Sequence, residues 1–214
     1  MMDNGVMGAG STGKTAFLIV DVQNDFCPGG ALAVAEGDAV VPVVNRVADA
    51  VAAAGGFVFA SRDWHPAGAA HFAAYGGTWP VHCVQDTPGA AFHPGLRLPS
   101  SAVIVTKGDT PDADGYDAFE GHTPAGAPLD AALKARGVAH LIVAGLATDY
   151  CVKASALGAR QAGFDVTVLE DGIRAVDVAP GDGARAIEEM RANGARIATS
   201  ADVIDSLKGA GLKA

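Results

Sequence analysis

With 214 residues, half of them hydrophobic, the chain can bury one substantial core, and nothing in it reads as a linker between two domains. A net charge of −9 without any cluster of lysine and arginine argues against a phosphate-backbone footprint, so no nucleic acid partner is expected. No apolar run approaches the roughly 20 residues of a bilayer span and no basic-then-apolar secretory pattern opens the chain, which makes a cytoplasmic protein without a membrane partner the default.

Residues 1–14 are small, Gly-rich and without periodicity, so a flexible leader is expected ahead of a single domain over residues 15–214. Residues 8–15 read GAGSTGKT, a formal match to the phosphate-cradling P-loop. That chemistry needs a strand before the loop and a helix after it, whereas here the strand-like AFLIVDV follows, so the match reads as a decoy. After a strand at 17–20, residues 37–54 carry Val40, Val43, Val44, Val47 and Val51 at helical spacing and stop at Gly55-Gly56. A second strand at 57–60 leads into residues 62–101, a long stretch rich in Pro, Gly and His. Trp64, Phe72, Tyr75, Trp79 and Phe92 supply it with apolar material that favours packing over disorder. A third strand at 103–106 follows. Helices at 129–136, 152–161 and 181–192 then alternate with strands at 138–145, 164–171 and 195–200. Such alternation predicts an α/β fold: a doubly wound, mostly parallel sheet of about six strands with helices on both faces.

The candidate reactive groups recur just past the strands: Asp21 after the first, Asp63 and His65 after the second, Lys107 after the third and Cys151 after the fourth. Open α/β sheets bind ligands outside the carboxyl ends of their strands, so this layout predicts a shared cleft. Cys151 sits where a strand hands over to a helix, and the helix's positive end and unpaired amides would favour thiolate and could hold an oxyanion. A core cysteine fits the same context, and Cys27 and Cys83 read as small buried hydrophobes. Asp21 ends a buried strand, where an uncompensated carboxylate costs several kcal/mol, so it needs a partner or a raised pKa, unless it caps a turn in DVQND. Lys107 could pair with it or face solvent. Asp63, His65, His71 and His82 offer one carboxylate and three imidazoles, a set that suits Zn²⁺, Fe²⁺ or Mn²⁺ with positions left open. Isolated loop histidines are also common at surfaces.

Seven segments in order, IVDVQNDFCPGG with Leu32, RDWHP with His71-Phe72, WPVHCVQDTPGAAFHP, TKGD, GYDAFEG, GLATDYCVKASALGA and EEMRANGA, make the chain closely resemble the nicotinamidases, within the isochorismatase-like cysteine hydrolases. The likeness runs from about residue 15 to 200; Tyr150 stands before the cysteine where histidine is also common in relatives. The resemblance implies a triad of Cys151, Asp21 and Lys107 and one divalent metal on Asp63, His65, His71 and His82, with zinc the first expectation and Fe²⁺ or Mn²⁺ the alternatives. It implies a cis peptide between Leu146 and Ala147 that turns the amides of Ala147 and Cys151 toward an oxyanion. Phe26, Trp79, Tyr116 and Leu146 would then bind the substrate, a small aromatic amide. The implied reaction converts nicotinamide, and pyrazinamide-like carboxamides, to the acid and ammonia through a thioester, in NAD salvage, by a monomer or small homo-oligomer. The alternative within the superfamily is a metal-free hydrolase of ureido or carbamoyl amides, which would have no need of the Asp/His set. A nucleotide binder built on GAGSTGKT and a non-catalytic binding protein are the readings from other classes.

Overall fold

The computed structural model describes residues 13–211. Its strands are β1 (Lys14–Val20), β2 (Phe57–Asp63), β3 (Val103–Lys107), β4 (Val138–Leu146), β5 (Asp165–Arg174) and β6 (Arg196–Ala198). They form one parallel sheet in the order β3-β2-β1-β4-β5-β6. The helices are α1 (Val41–Ala53), α2 (Leu129–Lys134), α3 (Lys153–Gln161), α4 (Asp182–Ala192) and α5 (Ser200–Gly211). The chain runs outward from β1 through β2 to β3, then crosses back to β4, so the strand order reverses between β1 and β4. At such a reversal the flanking loops diverge and open a crevice.

Strand β1 is buried from Ala16 to Val20, as a parallel strand covered on both faces requires. Its alternation divides the core. Phe17 and Ile19 join Val44, Val47 and Val51 of α1 and Val203 and Leu207 of α5 on one side of the sheet. Leu18 and Val20 join Leu133 of α2, Ala156 of α3 and Met190 of α4 on the other. The doubly wound architecture expected from the sequence is therefore present, with two packed layers around the sheet.

Several boundaries differ from the sequence expectations. The segment 37–54 begins as a 3-10 turn, Gly37–Val40, before α1. The helix expected from 152 is preceded by a π-helical turn, Thr148–Val152, so Cys151 lies in that turn. Helix α5 was not expected; Val203, Ile204 and Leu207 carry its apolar face, and Asp171 anchors its start by accepting hydrogen bonds from Ser200 N at 2.8 Å and Ser200 Oγ at 2.6 Å. Most of the expected leader, and residues 8–12 of the phosphate-loop match, lie outside the described residues. Lys14 and Thr15 belong to β1, where a phosphate loop would need a helix.

The long connection between β2 and β3 is packed, as its aromatic content suggested. Phe72 and Cys83 are fully buried, although Tyr75 is exposed. Its partner is the turn after β1: Gln23 Nε2 donates to Ala90 O at 2.8 Å, Asn24 Nδ2 to Pro88 O at 2.7 Å, and Asp25 Oδ2 accepts from Cys83 N at 2.7 Å. Cys27, Cys83 and Cys151 are all free and buried. Among the described residues no helix is long and apolar enough to cross a membrane.

Candidate active site

The carboxyl ends of β1, β2, β3 and β4 deliver one reactive group each. Asp21 follows β1 with φ +48°, a left-handed conformation that Asp tolerates better than most residues, and its side chain is fully buried. Ser61 Oγ, from β2, donates to Asp21 Oδ1 at 2.7 Å. The ammonium of Lys107, the last residue of β3, lies 2.7 Å from Asp21 Oδ2 and 3.6 Å from Cys151 Sγ. It also donates to the Asp63 carboxylate and to the Gly115 carbonyl. Lys107 is thus the hub of the site: it satisfies two buried carboxylates at once and touches the thiol.

The protonation states follow from these neighbours. Burial pushes Asp21 up to about 6 and the nearby Asp63 adds to it, against the pull of Lys107 and the Ser61 hydroxyl. Burial acts to lower the Lys107 pKa, but Asp21 and Asp63 outweigh it and hold the ammonium charged well above its ordinary value. Burial raises the Cys151 thiol well above its usual value, opposed by Lys107 and reinforced by Asp21 and Asp63. The helix start was expected to favour thiolate, and burial in this site works against that. Burial and the two carboxylates beside the sulfur disfavour its anion, with Lys107 opposing them. An ionised Asp21 next to a neutral thiol is a base next to its proton.

Three histidines converge beside this group. The ring nitrogens of His65, His71 and His82 can be chosen within 4.8 Å of one another. His65 is fully buried and neither of its ring nitrogens has a hydrogen-bond partner, a costly state that a bound cation would relieve. His82 Nδ1 is engaged by Pro80 O at 2.7 Å and His71 Nδ1 by Asp114 Oδ1 at 3.3 Å, which leaves Nε2 of each as the available ligand atom. Burial pushes His82 down to about 4 and lowers His71, so both are neutral, the form that ligates. Asp63 links the two groups: one carboxylate oxygen is held by Lys107 and the other lies 3.8 Å from His65 Nε2. Its pKa stands at about 2, since Lys107 and His65 overcome the effect of burial. Three buried imidazoles, one of them with both ring nitrogens unpartnered, and an ionised carboxylate fit a divalent transition metal.

A narrow cleft opens over both groups. Cys151, Ala147, Asp63, His71 and His82 face it, and Phe26, Leu32, Trp79, Tyr116, Tyr150 and Val176 form its sides. Trp79 Nε1 donates to Tyr116 Oη at 2.8 Å, Tyr150 stacks on Tyr116 with centroids 5.9 Å apart, and Trp79 meets Tyr150 edge-on at 4.9 Å. The Leu146-Ala147 peptide is cis.

Of the residues expected in the site, Asp21, Lys107 and Cys151 meet at one point, Asp63, His65, His71 and His82 meet beside it, and Phe26, Trp79, Tyr116 and Ala147 line the cleft. Leu146 does not line it. Its side chain points into the core shared with α1, where β4 alternation sends Ile142, Ala144 and Leu146 together. Tyr150, which the sequence places beside Cys151 and at the pocket wall, lines the cleft, and Leu32 and Val176 join it without having been expected there. Val176 carries no sequence signal. Ser61 was likewise missed, and so was Gln23, whose side-chain amide accepts from Asp63 N and donates to Asp63 O, both at 2.8 Å, and so fixes that carboxylate's backbone.

The family model described as the isochorismatase domain matches residues 15–202. The chain is 45% identical over 203 residues to the nicotinamidase of Escherichia coli (strain K12), covering 87% of this chain and 95% of that one. It is similar in structure to the pyrazinamidase of Pyrococcus horikoshii in complex with zinc, with a TM-score of 0.80 and 43% identity over 87% of this chain and 99% of that one. It is also similar to PnC1 from L. infantum in complex with nicotinate, with a TM-score of 0.75 and 33% identity over 88% and 94% of the two chains.

Proposed function

The chain belongs to the isochorismatase domain family, and from that membership we propose that it hydrolyses nicotinamide to nicotinate and ammonia, accepts pyrazinamide-like aromatic carboxamides, and serves NAD salvage. The observation that carries this reading is the meeting of Asp21 and Cys151 on one buried lysine, directly under an aromatic-walled cleft.

In the proposed reaction the substrate ring lies flat among Trp79, Tyr116, Tyr150 and Phe26, which places its carboxamide over Cys151. Asp21 takes the Sγ proton, and the thiolate attacks the carboxamide carbon. The carbonyl π electrons move to oxygen, where the amides of Ala147 and Cys151 receive the negative charge. Asp21 returns the proton to the departing nitrogen, the C–N bond breaks, and ammonia leaves a thioester on Cys151. Asp21 then deprotonates a water that attacks the thioester, and Cys151 leaves as the thiol's conjugate base to recover the proton. Lys107 stays charged throughout and holds Asp21 in place while the proton moves. Asp63, His65, His71 and His82 are the residues that would hold a divalent ion, zinc first and Fe²⁺ or Mn²⁺ after it. Bound there, it would supply a positive charge and a coordination position for the ring nitrogen.

Ammonia release from nicotinamide by the purified protein tests this, run beside the Cys151→Ala variant and a chelator-stripped sample. The expected result is activity in the metal-loaded protein that is lost in both controls. Activity surviving Cys151→Ala would overturn the nucleophile, and no release by the intact, metal-loaded protein would overturn the substrate.

A further inference from the structure

Residues 108–117 leave the end of β3 and return to the site before the 3-10 turn Ala118–Glu120. Three consecutive residues of this loop hold three different parts of the site. Asp114 Oδ1 engages His71 Nδ1 at 3.3 Å, the Gly115 carbonyl accepts from the Lys107 ammonium, and Tyr116 Oη accepts from Trp79 Nε1 at 2.8 Å. The loop is closed at its base where Gly108 and Gly115 touch. Their φ values are +65° and +73°, and a Cβ on Gly115 would lie 2.9 Å from Gly108 Cα. It is also tied directly to the segment that carries His71, because Ala70 N donates to Pro111 O at 2.8 Å. The three anchors are therefore joined through one short segment.

Asp114 differs from the other two in its surroundings. Its side chain is 69% exposed while that of His71 is 4% exposed, so the carboxylate adds little to packing and its contact is with the histidine. His82 has its Nδ1 fixed by a backbone carbonyl, that of Pro80, whereas His71 depends on a side chain. An acceptor on Nδ1–H selects the tautomer with a free Nε2 and sets the ring's orientation, and such outer partners typically carry 10- to 100-fold in metal affinity. We propose that Asp114 is a positioning residue for the metal site, and that the strap Asp114-Gly115-Tyr116 sets the metal-binding histidine, the lysine hub and the aromatic wall relative to one another. The inference rests on the metal reading of this site given under Proposed function, and it adds the side chain that would tune that site from outside the ligand set.

The test uses the full chain, stripped by chelator and titrated with Zn²⁺ against a chromogenic competitor, as wild type, Asp114→Asn and Asp114→Ala. The alanine variant is expected to bind zinc about 10- to 100-fold more weakly. The asparagine variant, which keeps an oxygen acceptor without the charge, should fall between the two. The metal-free unfolding midpoint should stay within about 2 °C of wild type, since an exposed carboxylate is being removed. Zinc affinity of the alanine variant within about twofold of wild type would overturn the proposal. So would a metal-free midpoint lowered by more than about 5 °C, which would make Asp114 a residue of the fold. A wild-type protein that does not bind zinc would overturn this inference together with the metal reading. Wild type that binds zinc but leaves nicotinamide intact would overturn the substrate alone, while the zinc affinities would still decide the role of Asp114.

Discussion

Replacing Ser61 by alanine removes one hydrogen bond, 2.7 Å long, from a carboxylate that is fully buried. Asp21 then keeps Lys107 as its principal partner. A hydrogen bond to a charged group contributes about 1.5–3 kcal/mol, and one pKa unit corresponds to about 1.4 kcal/mol, so Asp21 should rise by about one to two units from a starting point of about 6. Because the ionised form is the base, activity on the acid side is lost as pH falls through that value. The acid limb of kcat/KM for nicotinamide should therefore move up by the same one to two units in Ser61→Ala. At pH 7 this amounts to a loss of about 2- to 10-fold, largely recovered near pH 9. The assay is ammonia release across the pH range with the metal-loaded protein. An acid limb that stays where it is in wild type, with only a lowered plateau, would refute the assignment of Asp21 as the base whose ionisation Ser61 supports.

Two further outcomes follow from other buried charges. Lys107→Met keeps the length of the side chain but leaves Asp21 and Asp63 without their shared cation, so urea unfolding should show a loss of about 3–5 kcal/mol together with at least about 100-fold in activity; a stability within about 1 kcal/mol of wild type would contradict the hub. His140 in β4 is buried against Thr167 Oγ1 at 2.9 Å, and burial depresses its pKa from 6.5 to about 4. The unfolded chain binds the extra proton between these values, so its contribution to stability is complete above about pH 6.5 and lost as pH falls to about 4, by up to about 3 kcal/mol. His140→Gln should lose correspondingly less stability between pH 7 and 4.5 than wild type, and equal losses in the two proteins would rule His140 out as a source of acid lability.

The central strands were legible because a parallel strand covered on both faces must carry an apolar run, and 17–20, 57–60 and 141–146 are such runs. Helix α1 was legible from its valines at helical spacing. Helix α5 was not legible, since Val203, Ile204 and Leu207 make a short apolar stripe that only packing on α1 and β5 gives a reason to bury. The resemblance implies Leu146 in the pocket, whereas the period of two along β4 sends it into the core on the α1 side of the sheet. Periodicity, turn chemistry and residue type are local properties, and they determined the fold class and the residues able to do chemistry. Strand order, the partners of Lys107, the orphaned nitrogens of His65 and the direction of the Cys151 pKa were decided by the tertiary structure. The Coulomb and desolvation energies behind them depend on groups brought together from four strands, and no window of sequence contains those distances.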